Sequence, residues 1–157
     1  MGIPRQLIGL VVALAIAGAG CADPSGGGTV VDAAADGRFE FVELDEVQIW
    51  RSAQPSTAGL DALVRGTVEY DEACGAVLHD EEVDVRYPVV WPHGTGLVGT
   101  DPLTLELSDG RTVTVGDVVS GGGGYHPDLA LVDDACAPTG ETAVFNASGA
   151  VEVTMTG

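Results

Sequence analysis

From Phe39 to Met155 the apolar residues come in short runs that alternate with polar ones, and Gly, Pro, Asp and Asn separate the runs. A period of two is the signature of strands with one face buried, and turn residues at close intervals leave no room for long helices. Phe39–Leu44, Val47–Trp50, Thr67–Tyr70, Cys74–Leu78, Val83–Trp91, Leu103–Leu107 and Thr112–Val119 read this way. Ala143–Phe145 and Val151–Met155 read as a closing hairpin around Asn146-Ala147-Ser148-Gly149. The pattern predicts a mainly β fold, a small barrel or sandwich. One stretch departs from it. Pro55-Ser56-Thr57 precedes Leu60, Leu63 and Val64, a spacing that predicts one short helix with a hydroxyl N-cap.

One hairpin can be read to its register. Leu103, Leu105 and Leu107 alternate with Thr104 and Glu106. A two-residue Asp109-Gly110 turn would set Leu105 against Thr114 and mix the faces. A three-residue loop, Ser108-Asp109-Gly110, sets Leu105 against Val113 and Leu103 against Val115 and keeps one face apolar. Its last residue must be left-handed, which Gly110 permits.

The first residues belong to a different kind of segment. Arg5 is the only charged side chain before Asp23, and Leu7–Ala17 is continuously apolar, ending in Gly18-Ala19-Gly20. A basic start, a short apolar run and small residues form the secretory-signal pattern. As a helix, residues 6–22 would span only about 25 Å, short of the ~30 Å hydrocarbon core, so a permanent transmembrane helix is the poorer reading. Gly18-Ala19-Gly20-Cys21 resembles the lipobox of bacterial lipoprotein precursors, with Gly18 where that family usually carries a larger aliphatic residue. The resemblance covers residues 1–21. It implies cleavage before Cys21, diacylglyceryl and acyl chains on that residue, and an exported protein anchored at the outward face of the cell membrane. The competing reading is an ordinary secretory peptide cut after Ala19, releasing a soluble domain. The expected organisation is a signal peptide at 1–20, a lipidated flexible linker at 21–37 rich in Gly and Ser, and a β domain at 38–157.

If Cys21 is acylated, Cys74 and Cys136 remain as a pair in an oxidising compartment, and a disulfide is their natural use. Neither has a C-x-x-C neighbour, which disfavours metal ligation or a redox couple.

Charge narrows the partners. The formal net charge is −18, from six basic residues, all Arg, against 24 acids. Nucleic-acid affinity rests on cations that neutralise phosphates, so a nucleic-acid partner is excluded on this count. Val113–Val119 resembles the strand–turn–strand of small OB-like barrels, which implies oligonucleotide or oligosaccharide binding; acidity opposes the first. The chain also resembles small exported lipoproteins that combine a cysteine, a VVWP strand and a GGGGY loop.

Candidate chemistry is sparse. Ser120-Gly121-Gly122-Gly123-Gly124-Tyr125-His126 reads as a mobile loop between strands. Its sharper reading is a ligand loop contacting through Tyr125 and His126; it lacks the Lys and Ser/Thr of a phosphate cradle. His79 adjoins Asp80-Glu81-Glu82 and Asp84, but neither H-E-x-x-H nor calcium-loop spacing occurs, so no metal and no cofactor are expected. No G-x-S-x-G elbow is present. Trp91 between Pro88 and Pro92 reads as a core residue. The expected role is a non-enzymatic envelope protein that binds a partner protein or a small molecule, or serves structurally. The alternative is a metal-dependent or hydrolytic enzyme using histidines and carboxylates.

Overall fold

The run Val85–Trp91 organises the molecule, because Val89, Val90 and Trp91 are buried on both of its faces and both of its edges are paired. The computed structural model describes residues 29–33, 37–127, 129, 131 and 135–156. In chain order the strands are β1 (Thr29–Ala33), β2 (Phe39–Leu44), β3 (Val47–Ser52), β4 (Ala62–Asp71), β5 (Gly75–Asp80) and β6 (Val85–Trp91). They continue as β7 (Gly96–Thr100), β8 (Leu103–Glu106), β9 (Thr112–Thr114), β10 (Val118–Pro127), β11 (Glu141–Phe145) and β12 (Val151–Thr154). The fold is mainly β, and no helix occurs among the described residues.

Strands β6, β11, β10, β4 and β5 pair in that order, and β5 pairs back onto β6, closing a barrel. Closure removes the open edges that a sheet would otherwise expose. The antiparallel meander β1–β2–β3 joins from outside, β3 running parallel to β6 through Trp50↔Val90 and Arg51↔Trp91. A separate antiparallel meander, β7–β8–β9, packs against the barrel. Leu97, Leu103, Leu105 and Val113 from it share one core with the barrel's Val64, Val68, Leu78, Trp91, Val119 and Phe145 and the first meander's Val42 and Ile49. Trp91 and Phe145 stack at the centre, 5.6 Å between rings. The buried Arg51 ties β3 to this assembly, its Nε donating to Glu40 Oε1 at 2.5 Å and its Nη1 to the Thr95 carbonyl at 2.8 Å. On the opposite face of β6, Val90 packs with Phe39 and Val144 beneath Trp50, Leu129 and Leu131. Two buried faces explain the unbroken apolar run Val89-Val90-Trp91, since a half-exposed strand would alternate.

The hairpin register is as expected. Leu105 pairs with Val113, the Val115 amide donates to the Leu103 carbonyl at 3.3 Å, and Gly110 is left-handed at φ 83°. Leu103, Leu105, Leu107 and Val113 are buried, whereas Val115 is 41% exposed because the chain turns away at Gly116.

Four expectations give way. The short helix is not seen. The Ala58 amide turns back onto Ser56 Oγ at 3.2 Å, and Ala62–Asp71 is strand, with Val64, Gly66 and Val68 buried in alternation. Of the residues taken as a helical stripe only Val64 is buried; Leu60 and Leu63 are exposed, so two-residue alternation prevails over the i, i+3, i+4 spacing. Next, the glycine run is not a loop but the middle of β10. Residues 143–155 do not form a hairpin either. Phe145↔Gly123 and Val151↔Gly121 place β11 and β12 end to end along the same edge of β10, as one strand interrupted by residues 146–150. Finally, within the linker expected at 21–37, Thr29–Ala33 forms a strand on β2. The signal peptide, Cys21 and the first part of the linker lie outside the described residues.

Candidate functional site

The glycine run takes its meaning from what presses on it. A Cβ on Gly121 would come within 2.9 Å of the Ala150 carbonyl and 3.1 Å of the Phe145 ring, and one on Gly123 would overlap the Val144 carbonyl. On the other face, a Cβ on Gly122 would meet the Asn146 side-chain amide at 2.9 Å, and one on Gly124 the Leu60 Cδ1 at 2.7 Å. Glycine in a strand interior is costly unless other atoms need the space, and here both faces need it. Tyr125, next along β10, lies half-buried with its ring 4.8 Å from that of Tyr87, and burial raises its phenol pKa. His126 sits opposite Thr142.

Asn146 opens the excursion between β11 and β12. Its backbone amide still donates to the Gly122 carbonyl at 2.9 Å, continuing the ladder by one rung. Its side chain then imitates a strand partner. The Leu60 amide donates to Asn146 Oδ1 at 2.8 Å, and Asn146 Nδ2 donates to the Leu60 carbonyl at 3.1 Å. Two residues on, Ser148 Oγ accepts from the Ser56 amide at 3.1 Å. The excursion is itself held, because the Ala147 carbonyl accepts from the His93 amide at 2.9 Å. The segment between β3 and β4 is thereby fixed as a wall standing away from the sheet. Between this wall, the start of β2 and the end of β11 lies an open groove of about 540 Å³. Its apolar surface includes Phe39, Pro55, Leu60 and Val144, and among the described residues Arg38 is the one charged side chain that lines it. The Arg38 guanidinium stands over the Phe39 ring at 5.3 Å. Sequence reading missed Leu60, Asn146 and Ser148 as site residues. Asn146 and Leu60 are 86 positions apart, and nothing local to either marks the contact.

The histidines lie in separate settings. His79 on β5 is bracketed by Glu69 Oε1 at its Nδ1 and Asp84 Oδ1 at its Nε2, each at 3.1 Å. Arg86 Nε donates to the other oxygen of Glu69 at 2.6 Å. The hydrogen bond to Asp84, with Glu69 adding to it, raises the His79 pKa above 6.5. Carboxylates on opposite ring nitrogens cannot share one metal with the imidazole, so the arrangement is a charge node, not a ligand set. His93 is held through Nδ1 at the Ser52 carbonyl, 3.2 Å away. Among the described residues no three His, Cys, Asp or Glu side chains are grouped to hold a metal ion.

Cys74 and Cys136 are joined in a disulfide, with Cα atoms 5.3 Å apart across 62 positions. Asp71 shapes the turn that presents Cys74, its Oδ1 accepting from the Ala73 and Cys74 amides at 2.9 and 3.1 Å. The bond pins the connection between β10 and β11, whose Leu129 and Leu131 cover Val90 and Val144, to the β4–β5 turn. No protein-family model matches the chain, and neither a curated protein nor a solved structure matches it.

Proposed function

We propose that the chain is the precursor of a lipid-tethered envelope protein whose disulfide-bonded β domain binds a ligand or partner without catalysing a reaction. The observation that carries the first half is the pairing of Cys74 with Cys136. Of the three cysteines, that leaves Cys21 alone, at the end of an apolar segment and behind small residues. An exported, oxidising compartment accounts for the bond and the signal segment together. One acyl chain holds a protein only marginally and two or three hold it firmly, so acylated Cys21 would make the domain a permanent resident of the membrane surface.

The binding half is supported by the preformed groove beside Leu60 and Asn146. It differs from the histidine node in offering a concave surface, whereas His79 is engaged by its own carboxylates. The test is the intact mass of the protein extracted from the membranes of a lipoprotein-processing host. The expected mass is that of residues 21–157 plus a diacylglyceryl and an acyl group, less two hydrogens for the disulfide. A Cys21→Ser chain should appear without added acyl mass and outside the membrane fraction. A bare polypeptide beginning elsewhere would overturn the anchor.

A further inference from the structure

Along β4 the barrel closes over only part of the strand. β4 pairs with β10 from Ala62 to Thr67 and with β5 from Thr67 to Asp71, so among the described residues one edge of Ala62–Gly66 has no strand beside it. We propose that this edge takes an extended segment of a partner protein as an added strand, antiparallel to β4, with a cationic N-terminal end and an apolar residue opposite Leu63. The surface is separate from the groove beside Asn146, whose side chain reaches Leu60 across Gly122, from the β10 side of β4.

The backbone itself shows what the edge offers. The Val68 amide donates to the Asp117 carbonyl at 2.9 Å, and the Val68 carbonyl accepts from the Gly116 amide at 2.8 Å, so Val68 faces the start of β10. Alternation along the strand turns the backbone groups of Leu63 and Arg65 the other way. The Arg65 amide meets the Tyr125 hydroxyl there. Among the described residues, nothing bonds the Leu63 amide, the Leu63 carbonyl or the Arg65 carbonyl from that side. Such groups recruit a strand from another chain unless the edge is blunted, and Ala62–Gly66 has neither a proline nor a buried apolar tip, Leu63 being 64% exposed. The space beside it is a concave surface of about 470 Å³, lined by Leu63, Arg65 and Thr67 and by Asp80, Glu81 and Glu82.

Charge sets the direction and the partner. β5 stops at Asp80, so an added strand would lie end to end with β5, as β12 lies beyond β11 on β10. Running in the same sense as β5, it would bring its first residue to the acids of the β5–β6 turn. Glu81 is fixed at the foot of the edge, its Oε1 accepting from the Thr67 hydroxyl at 3.0 Å. These carboxylates and the net charge of −18 favour a Lys, an Arg or a free amine at that end and disfavour a carboxyl terminus. The same charge opposes a second copy of this chain, which would bring an equal negative charge to the edge.

The test uses the full chain with its disulfide formed and Cys21→Ser to prevent acylation. The probe is the peptide Lys-Lys-Val-Thr-Val-Thr, with a free amine and a fluorescent label at its other end. Controls are Glu-Glu-Val-Thr-Val-Thr and the lysine peptide with N-methyl groups on alternate amides, which cannot complete a ladder. The lysine peptide should bind saturably, with NMR shifts centred on Leu63 and Arg65 and slowed hydrogen exchange at the Leu63 amide, and neither control should bind. Leu63→Pro removes the outward N–H and none of the bonds to β10, so it should abolish binding; amide spectra establish that the variant is folded. Should it not fold, the N-methylated peptide tests the same hydrogen bonds from the other partner. Glu81→Gln with Glu82→Gln should weaken binding about tenfold at low salt and less at high salt. Equal binding of the N-methylated peptide, shifts centred elsewhere or no saturable binding would each overturn the added strand. Equal binding of the glutamate peptide would overturn its cationic end. Concentration-dependent self-association that protects the Leu63 amide would replace the partner with a second copy. None of these results bears on the lipid anchor or the groove, which the mass of the membrane-extracted protein and ligand binding beside Asn146 decide separately.

Discussion

Single residues carry much of the specification here, and their effects can be separated by experiment. Gly123 and Gly110 are both glycines, but for different reasons. A Cβ at Gly123 overlaps the Val144 carbonyl, whereas Gly110 has nothing within 4 Å and only its φ of 83° to protect. Gly123→Ala should therefore cost at least about 2 kcal/mol through backbone displacement, and Gly110→Ala only about 1 kcal/mol of left-handed strain, both read by urea unfolding. Asn146→Ala removes both side-chain hydrogen bonds to Leu60 and should cost about 1–3 kcal/mol. The Leu60 amide should then lose hydrogen-exchange protection, while the barrel amides should lose it only in step with global stability. His79 offers a pH readout. Its pKa is raised, first by the Asp84 hydrogen bond and then by Glu69, so the protonated form is favoured in the folded chain. Its stabilising contribution is complete below 6.5 and is lost as pH climbs through the raised value. An NMR titration of the His79 ring should show a midpoint above 6.5, and Asp84→Asn should lower it.

At the scale of elements, local pairing and distant pairing differ in how much a sequence reveals. The β8–β9 hairpin was legible to its register, because Leu103, Leu105 and Val113 must share a face and Gly110 must close the loop. The β2–β3 hairpin was legible as two strands. Its turn is less regular: Asp45 and Glu46 both adopt positive φ, at 48° and 70°, where Asn-Gly is the favoured pair. Replacing Asp45-Glu46 with Asn-Gly should stabilise the protein by about 0.5–1 kcal/mol, visible as a higher Tm. Residues 56–64 were misread because their spacing fits a helix equally well. The choice was made by Val64, Gly66 and Val68 turning alternately inward against β10, and by Asn146 holding Leu60 in place. The glycine run was misread for a related reason. Low side-chain content looks mobile in isolation, and only the neighbours that press on β10 make it a strand.

Over the whole molecule, stability is governed by closure of the barrel, by the cross-link and by charge. The disulfide bridges 62 positions, a span for which chain entropy assigns roughly 4 kcal/mol, so its reduction should lower stability by about that much in urea unfolding. The loss should also uncover Val90 and Val144, since Leu129 and Leu131 lie on the segment the bond retains. A net charge of −18 on so small a chain repels itself, and screening relieves that. Tm should accordingly rise from low salt towards about 1 M NaCl, where the Debye length is about 3 Å.

The sequence by itself determined the β class, one hairpin register and the partnership of Cys74 with Cys136. Each of these depends on alternation, on turn chemistry or on simple counting. Tertiary structure alone decided that β10 runs through four glycines, that β11 and β12 form one interrupted strand, and that a groove stands beside Asn146. These features arise from contacts between residues such as Leu60 and Asn146, 86 positions apart. Neither residue's local pattern carries any trace of the other, because a side-chain amide pairing with a distant backbone leaves no period in the chain.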